Sequence, residues 1–102
     1  MAVVEVKVIP LGTDQPSISS FVKEAFEVAR QEPGVVAALT PTSTVLEGEL
    51  GHVLRVAQAM HEAPFRRGVD RVSTTITIDE RHDKTTDMDE MVAAVIEGDH
   101  PR

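Results

Sequence analysis

The stretch Val35–Glu49, VVAALTPTSTVLEGE, decides the fold. Both of its ends are rich in β-branched and apolar residues, and a turn near Thr42-Ser43 divides them, so it reads as two strands back to back. Pro41 falls in the first of these strands and places it on a sheet edge, because proline cannot donate to a central ladder. Thr44 to Glu49 forms the return strand. Toward the N-terminus, Ile18, Phe21, Val22, Ala25, Phe26 and Ala29 recur at helical spacing behind a Ser17 N-cap, and Pro33-Gly34 stops that helix. Before it, AVVEVKVIPL (Ala2 to Leu11) alternates with a period of two. Val4, Val6 and Val8 share one face, and Val3, Glu5, Lys7 and Ile9 share the other.

Toward the C-terminus, Val53, Leu54, Ala57 and Met60 form the stripe of a second helix. Pro64 lacks the N–H that would bond the Met60 carbonyl, which predicts a kink or an early finish. After Gly68, residues Arg71 to Asp79 alternate again. Glu80 to Asp87 is a polar loop, and Asp87 and Glu90 have capping-box spacing ahead of a short helix with Met88, Met91, Val92 and Val95, ended by Gly98. The order β-α-β-β-α-β plus a C-terminal helix predicts an α+β, ferredoxin-like sandwich: a four-stranded antiparallel sheet with both main helices on one face. Residues 1–97 are expected to form a single domain and residues 98–102 a flexible tail.

The composition narrows the functional classes. A chain of 102 residues without cysteine excludes a disulfide scaffold, a thiolate zinc site and a cysteine nucleophile. No apolar run approaches the ~18 to 20 residues of a membrane span, and the N-terminus lacks a signal-peptide pattern, so a soluble, cytoplasmic protein with no membrane partner is expected. A net charge of −7, with only Arg66, Arg67 and Arg71 clustered, argues against nucleic acid as a partner.

Few residues point to catalysis. His61-Glu62 begins a metalloprotease helix pattern, but Phe65 stands where the second histidine is needed, so no metal site is expected. Asp79, Arg81, His82 and Asp83 form a polar loop that could serve an uncharacterised enzyme, yet a solvated loop is the better reading, and the chain is expected not to be an enzyme. The face without helices carries Val3, Ile9 and Val45 among Glu5, Lys7, Glu47, Ser73, Thr75 and Thr77. That mixture suits sheet-to-sheet self-association. The helix-facing side carries hydroxyls: Thr44 shares it with Leu46 and Gly48, and Thr74 shares it with Val72 and Ile76. With Ser19 or Ser20 from the first helical turn, these residues outline an apolar pocket with a few hydroxyls, the usual composition of a small-molecule site. Glu47, a carboxylate inside a strand, points to a ligand or a neighbouring subunit, or else pairs with Lys7 on the open face.

The segments VIPLG (Val8 to Gly12), the Ser17/Ser19 helix start, LTPTSTVLEG (Leu39 to Gly48), HEAPF (His61 to Phe65) and RVSTTITIDERHDK (Arg71 to Lys84) occur in order. Together they resemble the thiamine-binding, YkoF-like family of small ferredoxin-like proteins, from the first strand to about Ile96. The resemblance implies a homo-oligomer, a dimer or tetramer built through sheets and C-terminal helices. It also implies non-catalytic binding of thiamine or its hydroxymethylpyrimidine moiety, with that small molecule as ligand and no cofactor. Thr44, Glu47 and Gly48 match a T-x-x-E-G segment, Thr74 matches the threonine of the last strand, and Ser19 matches a serine near the first helix start. Ser43, in place of a turn glycine, and Pro64 depart from the pattern. Strict alternation sets Glu47 on the face opposite Thr44, so either a bulge near Gly48 re-aims it or Glu47 serves a subunit interface; the second is favoured. The expected ligand-binding residues are therefore Ser19, Thr44, Gly48 and Thr74, with Glu47 as an interface or ligand residue. The purpose is storage, sequestration or sensing. The alternative is a homo-oligomeric regulatory module that binds another small ligand at a subunit interface.

Overall fold

A computed structural model describes residues 1–12, 19–82 and 88–96. Its elements are β1 (Ala2–Leu11), α1 (Ser19–Arg30), β2 (Val36–Leu39), β3 (Thr44–Gly48), α2 (Leu50–Arg66), β4 (Arg71–Glu80) and α3 (Met88–Ile96). The four strands form one antiparallel sheet in the order β2-β3-β1-β4, the ferredoxin-like arrangement. Ser17, Asp87, Gly98 and the 98–102 tail lie outside the described residues.

The register fixes which side chains share a face. Val4 is opposite Leu46 and Ile78, and Val6 is opposite Thr44 and Ile76. Val4, Val6 and Leu46 pack under Ala25 and Ala29 of α1 and Val53, Ala57 and Met60 of α2, all of them buried. Aligned removal of these surfaces from water drives the docking of both helices. Glu49 begins α2 as its N-cap, its carboxylate accepting the backbone N–H groups of Gly51 (3.0 Å) and His52 (2.9 Å). Those donors, Gly51 first, hold the Glu49 carboxyl below the usual carboxylate range.

Two local expectations are corrected. Pro41 is outside β2, in the bend that follows it, although β2 does form an edge. The return strand ends at Gly48, because Glu49 is already turning its carboxylate back to cap α2. Pro64 lies inside α2, which finishes two residues later at Arg66. The proline is buried in the last turn, and Arg67 and Gly68 donate to the Pro64 and Phe65 carbonyls to close the helix, with Gly68 at φ +89°.

The exposed apolar surface also lies elsewhere than expected. On the open face Val3, Ile9 and Val45 are half-buried. On the helix side, α2 reaches Val72 and Thr74 but leaves Ile76 and Ile78 of β4 exposed at 41% and 47%, with Phe65 exposed at 42%.

Candidate functional site

β1 is ten residues long and pairs with β4 along its whole length, from Ala2–Glu80 to Leu11–Arg71. β3 accompanies it only from Ala2–Gly48 to Val6–Thr44. Among the described residues, no strand lies beside residues 7–11 on that side, so alternate residues there direct backbone N–H and C=O groups away from the sheet. A cavity of about 540 Å³ occupies the gap, lined by Lys7, Val8 and Ile9 of β1, Ser19, Val22 and Lys23 of α1, and Leu39, Thr40, Pro41 and Thr42 of the hairpin.

Each wall is anchored by identifiable contacts. In the hairpin, the Thr40 hydroxyl oxygen accepts the backbone N–H groups of Thr42 (3.3 Å) and Ser43 (2.9 Å), and Thr40 N–H donates to the Ser43 carbonyl (2.9 Å). These bonds let Pro41 occupy the bend without leaving buried donors unmet. The Ser43 hydroxyl donates to the Glu5 carboxylate (2.8 Å) and ties the hairpin to β1. Ser43 thus does the fastening. On the other wall, the Arg67 guanidinium lies 3.9 Å from the Phe21 ring centroid and 3.5 Å from Glu24, and donates to the Ser20 hydroxyl (3.4 Å). This clasp joins the end of α2 to the first turn of α1 and so positions Ser19 at the cavity.

The anticipated site residues separate in space. Ser19 lines the cavity. Thr44, almost fully buried, lines a small void directly beneath it with Val6, Val8, Val22 and Met60; Val8, Val22 and Thr42 border both spaces. Gly48 is four residues, about 13 Å, farther along β3. The room left by its missing side chain is already taken, since a Cβ there would meet the Gly34 carbonyl and the Val53 side chain at 3.1 Å. Thr74 lies across β1 from the cavity, and its hydroxyl is 2.6 Å from His61 Nδ1, whose ring packs edge-on against Phe65 at 5.5 Å. The helix-facing threonine thus meets a histidine of α2. Glu47 stays on the open face, opposite Val3 and Val36, with no bulge to re-aim it. It is four residues from the level of Lys7, which removes the expected pairing. Glu47 is nevertheless buried, and among the described residues no donor reaches its Oε2. Asp79, expected in the polar loop, is instead in β4 opposite Val3, and it, Arg81 and His82 are all exposed. His82 is 3.5 Å from Glu80, and Asp83 lies outside the described residues.

Lys7, Lys23, Thr40 and Thr42 are cavity residues that the reading of the sequence missed. The available signal was the mismatch between a ten-residue first strand and a return strand half as long. A second groove, of about 520 Å³, runs between α1 and α2, but Glu32, His52 and Arg55 crowd it, with His52 3.6 Å from Glu32. The apolar walls and unpaired strand edge of the first cavity suit an organic ligand better.

Fold and cavity define a small ferredoxin-like domain with a half-open pocket where its central strand outruns its neighbour. The chain belongs to the thiamine-binding protein family, whose model matches residues 4–96. Among curated relatives, it is similar to the UPF0045 protein YqgV of Bacillus subtilis, 41% identical over 98 residues, which span 93% of this chain and 94% of that protein. A UPF0045 protein of Staphylococcus xylosus is 44% identical over 98 residues, covering 93% and 92%. Among solved structures, hypothetical protein MJ1052 of Methanocaldococcus jannaschii superposes with a TM-score of 0.82 at 35% identity, over 94% of this chain and 96% of its own. A Thermotoga maritima protein with a proposed part in thiamine biosynthesis or salvage shares the fold, with a TM-score of 0.74 at 19% identity over 92% and 97% of the two chains. No described helix is long and apolar enough to cross a membrane.

Proposed function

We propose that this chain binds thiamine or its hydroxymethylpyrimidine moiety, without chemical change, in the cavity between β1, α1 and the β2–β3 hairpin, for storage, sequestration or sensing. The observation that carries the reading is the unpaired edge of β1 at residues 7–11, set among apolar walls and hydroxyls in a chain of the thiamine-binding protein family. An aminopyrimidine places a ring-nitrogen acceptor beside an amino donor. A strand edge offers the complementary pair, a backbone N–H and a backbone C=O, as in recognition by strand addition. Val8, Val22 and Leu39 would flank the ring, and Ser19 and Thr44 would supply hydroxyls. Gly48 and Thr74 are left to packing and to the His61 contact. The thiamine biosynthesis or salvage role proposed for the Thermotoga maritima protein points the same way.

A thermal-shift series with thiamine, hydroxymethylpyrimidine and the thiazole alcohol tests the proposal. Ligand at a hundred times its Kd adds about 2.7 kcal/mol, or a shift on the order of 10 °C for a domain of this size. Stabilisation by the two pyrimidine-bearing compounds and not by the thiazole alcohol is the expected result. No shift at millimolar concentrations refutes it.

A second reading, a homo-oligomeric dimer or tetramer, draws on β4. This edge strand is ten residues long and exposed along most of its length, with Ile76, Ile78 and Phe65 beside it. Glu47 would serve a subunit contact in such an assembly. A monomeric mass by light scattering at micromolar concentration would remove this reading and leave the cavity proposal untouched.

A further inference from the structure

The described lining of the cavity has a charge opposite to that of the whole chain. Net charge is −7, yet among the described residues the lining contains two lysines and no carboxylate. Lys7 comes from β1 at the point where β3 has ended, and Lys23 comes from the second turn of α1, so independent elements bring cations to one space. Among the described residues, no carboxylate lies within ion-pair distance of either lysine. Glu27, one turn beyond Lys23, is engaged by Arg30 at 2.6 Å, and Glu5, two residues before Lys7, accepts from Ser43. The described start of α1 adds its positive end, with no acidic residue in the first turn, and the hydroxyls of Thr40 and Thr42 stand on the facing wall.

Given that the cavity is the ligand site, we infer that it selects a phosphomonoester of its small planar ligand over the free alcohol, the phosphate lying between Lys7 and Lys23. A phosphate tail supplies the negative charge that this lining lacks, and ammonium groups bind phosphate by charge-assisted hydrogen bonds. Unphosphorylated thiamine, with its cationic thiazolium, draws no such gain from this field and is held by its pyrimidine alone. Within the family's ligand class, the preferred species is then hydroxymethylpyrimidine phosphate, an anion with an apolar, hydrogen-bonding ring.

Titration calorimetry with hydroxymethylpyrimidine, its phosphate and inorganic phosphate tests this on the full chain and on Lys7→Gln, Lys23→Gln and the double variant. The expected result is an ester that binds about tenfold or more tightly than the alcohol. That advantage shrinks with added salt and disappears in the double variant. Inorganic phosphate should compete with the ester in the wild type. Equal affinities for ester and alcohol, or a preference that survives in the double variant, overturn the inference while leaving the pyrimidine proposal standing. Binding of neither compound overturns both. A circular dichroism spectrum matching wild type shows that each lysine variant is folded.

Discussion

The two halves of β1 have the same alternating sequence pattern and different surroundings. From Ala2 to Val6 the strand lies between β3 and β4 under two helices, and the packing is close: Ala2, Val4 and Val6 are at most 1% exposed, and even the hydrogen of Gly48 faces a carbonyl and a valine. From Lys7 to Leu11 the strand keeps β4 and loses β3, and a cavity opens on the vacant side. One half spends its geometry on packing density and the other leaves backbone groups for something else to meet. A close-packed interior answers sharply to a change of volume, whereas a half-open edge answers to a change of polar atoms. Substitutions that respect this division should affect one property and spare the other.

The largest effect is expected in the closed half. Leu46→Ala empties a fully buried position and should lower stability by about 2–5 kcal/mol, read as a fall in the urea midpoint with an unchanged slope. Next comes Gly48→Ala, whose new Cβ meets a backbone carbonyl that cannot swing away; a loss of about 1–3 kcal/mol is expected. Ligand affinity of the folded fraction should be preserved, and a selective loss of binding would bring Gly48 back into the site. At the junction of the two halves, Thr44→Val, and at the open cavity, Ser19→Ala, should each weaken binding of the pyrimidine by about 0.5–1.5 kcal/mol, a few-fold to tenfold in Kd by calorimetry. Affinities unchanged in both would take hydroxyl recognition out of the proposal.

The smallest effect is at the entry to α2. Glu49 has a depressed carboxyl pKa in the folded chain, so its capping contribution is present above the unfolded carboxylate pKa and is lost as pH falls through the folded value. Glu49→Ala should therefore lower the Tm at neutral pH, and the gap to wild type should close in acid. A gap that stays constant with pH would show that the carboxylate charge is not what caps the helix.

Most of the scaffold was legible because its signals are local. Period-two runs mark β1 and β4, Thr44 reads as a hydroxyl on a helix-covered strand position, and Ser19 as one from the first turn of the first helix. What escaped depends on partners. Thr74 carries the same signal as Thr44, but its hydroxyl faces His61, a pairing set by how α2 crosses β4. Gly48 looked like spare room because a sequence shows the missing side chain and not the valine that fills the space. Lys7 reads as an open-face residue in any alternation analysis; only the register, which ends β3 at Val6, brings it to the cavity. Ile76 follows the buried-face pattern and is exposed, because α2 does not extend far enough to cover it.

The unequal edges of the sheet set a limit on growth. β2 offers four residues and then Pro41, which has no N–H to give, whereas β4 offers ten. Counting only its two outermost strands, the sheet has one long site where another strand can be added. A unit with one reactive end can cap itself or pair once, but it cannot propagate edge to edge into a fibre. The short, proline-ended strand beside the cavity thus acts as a chain terminator for a protein whose opposite edge is left open.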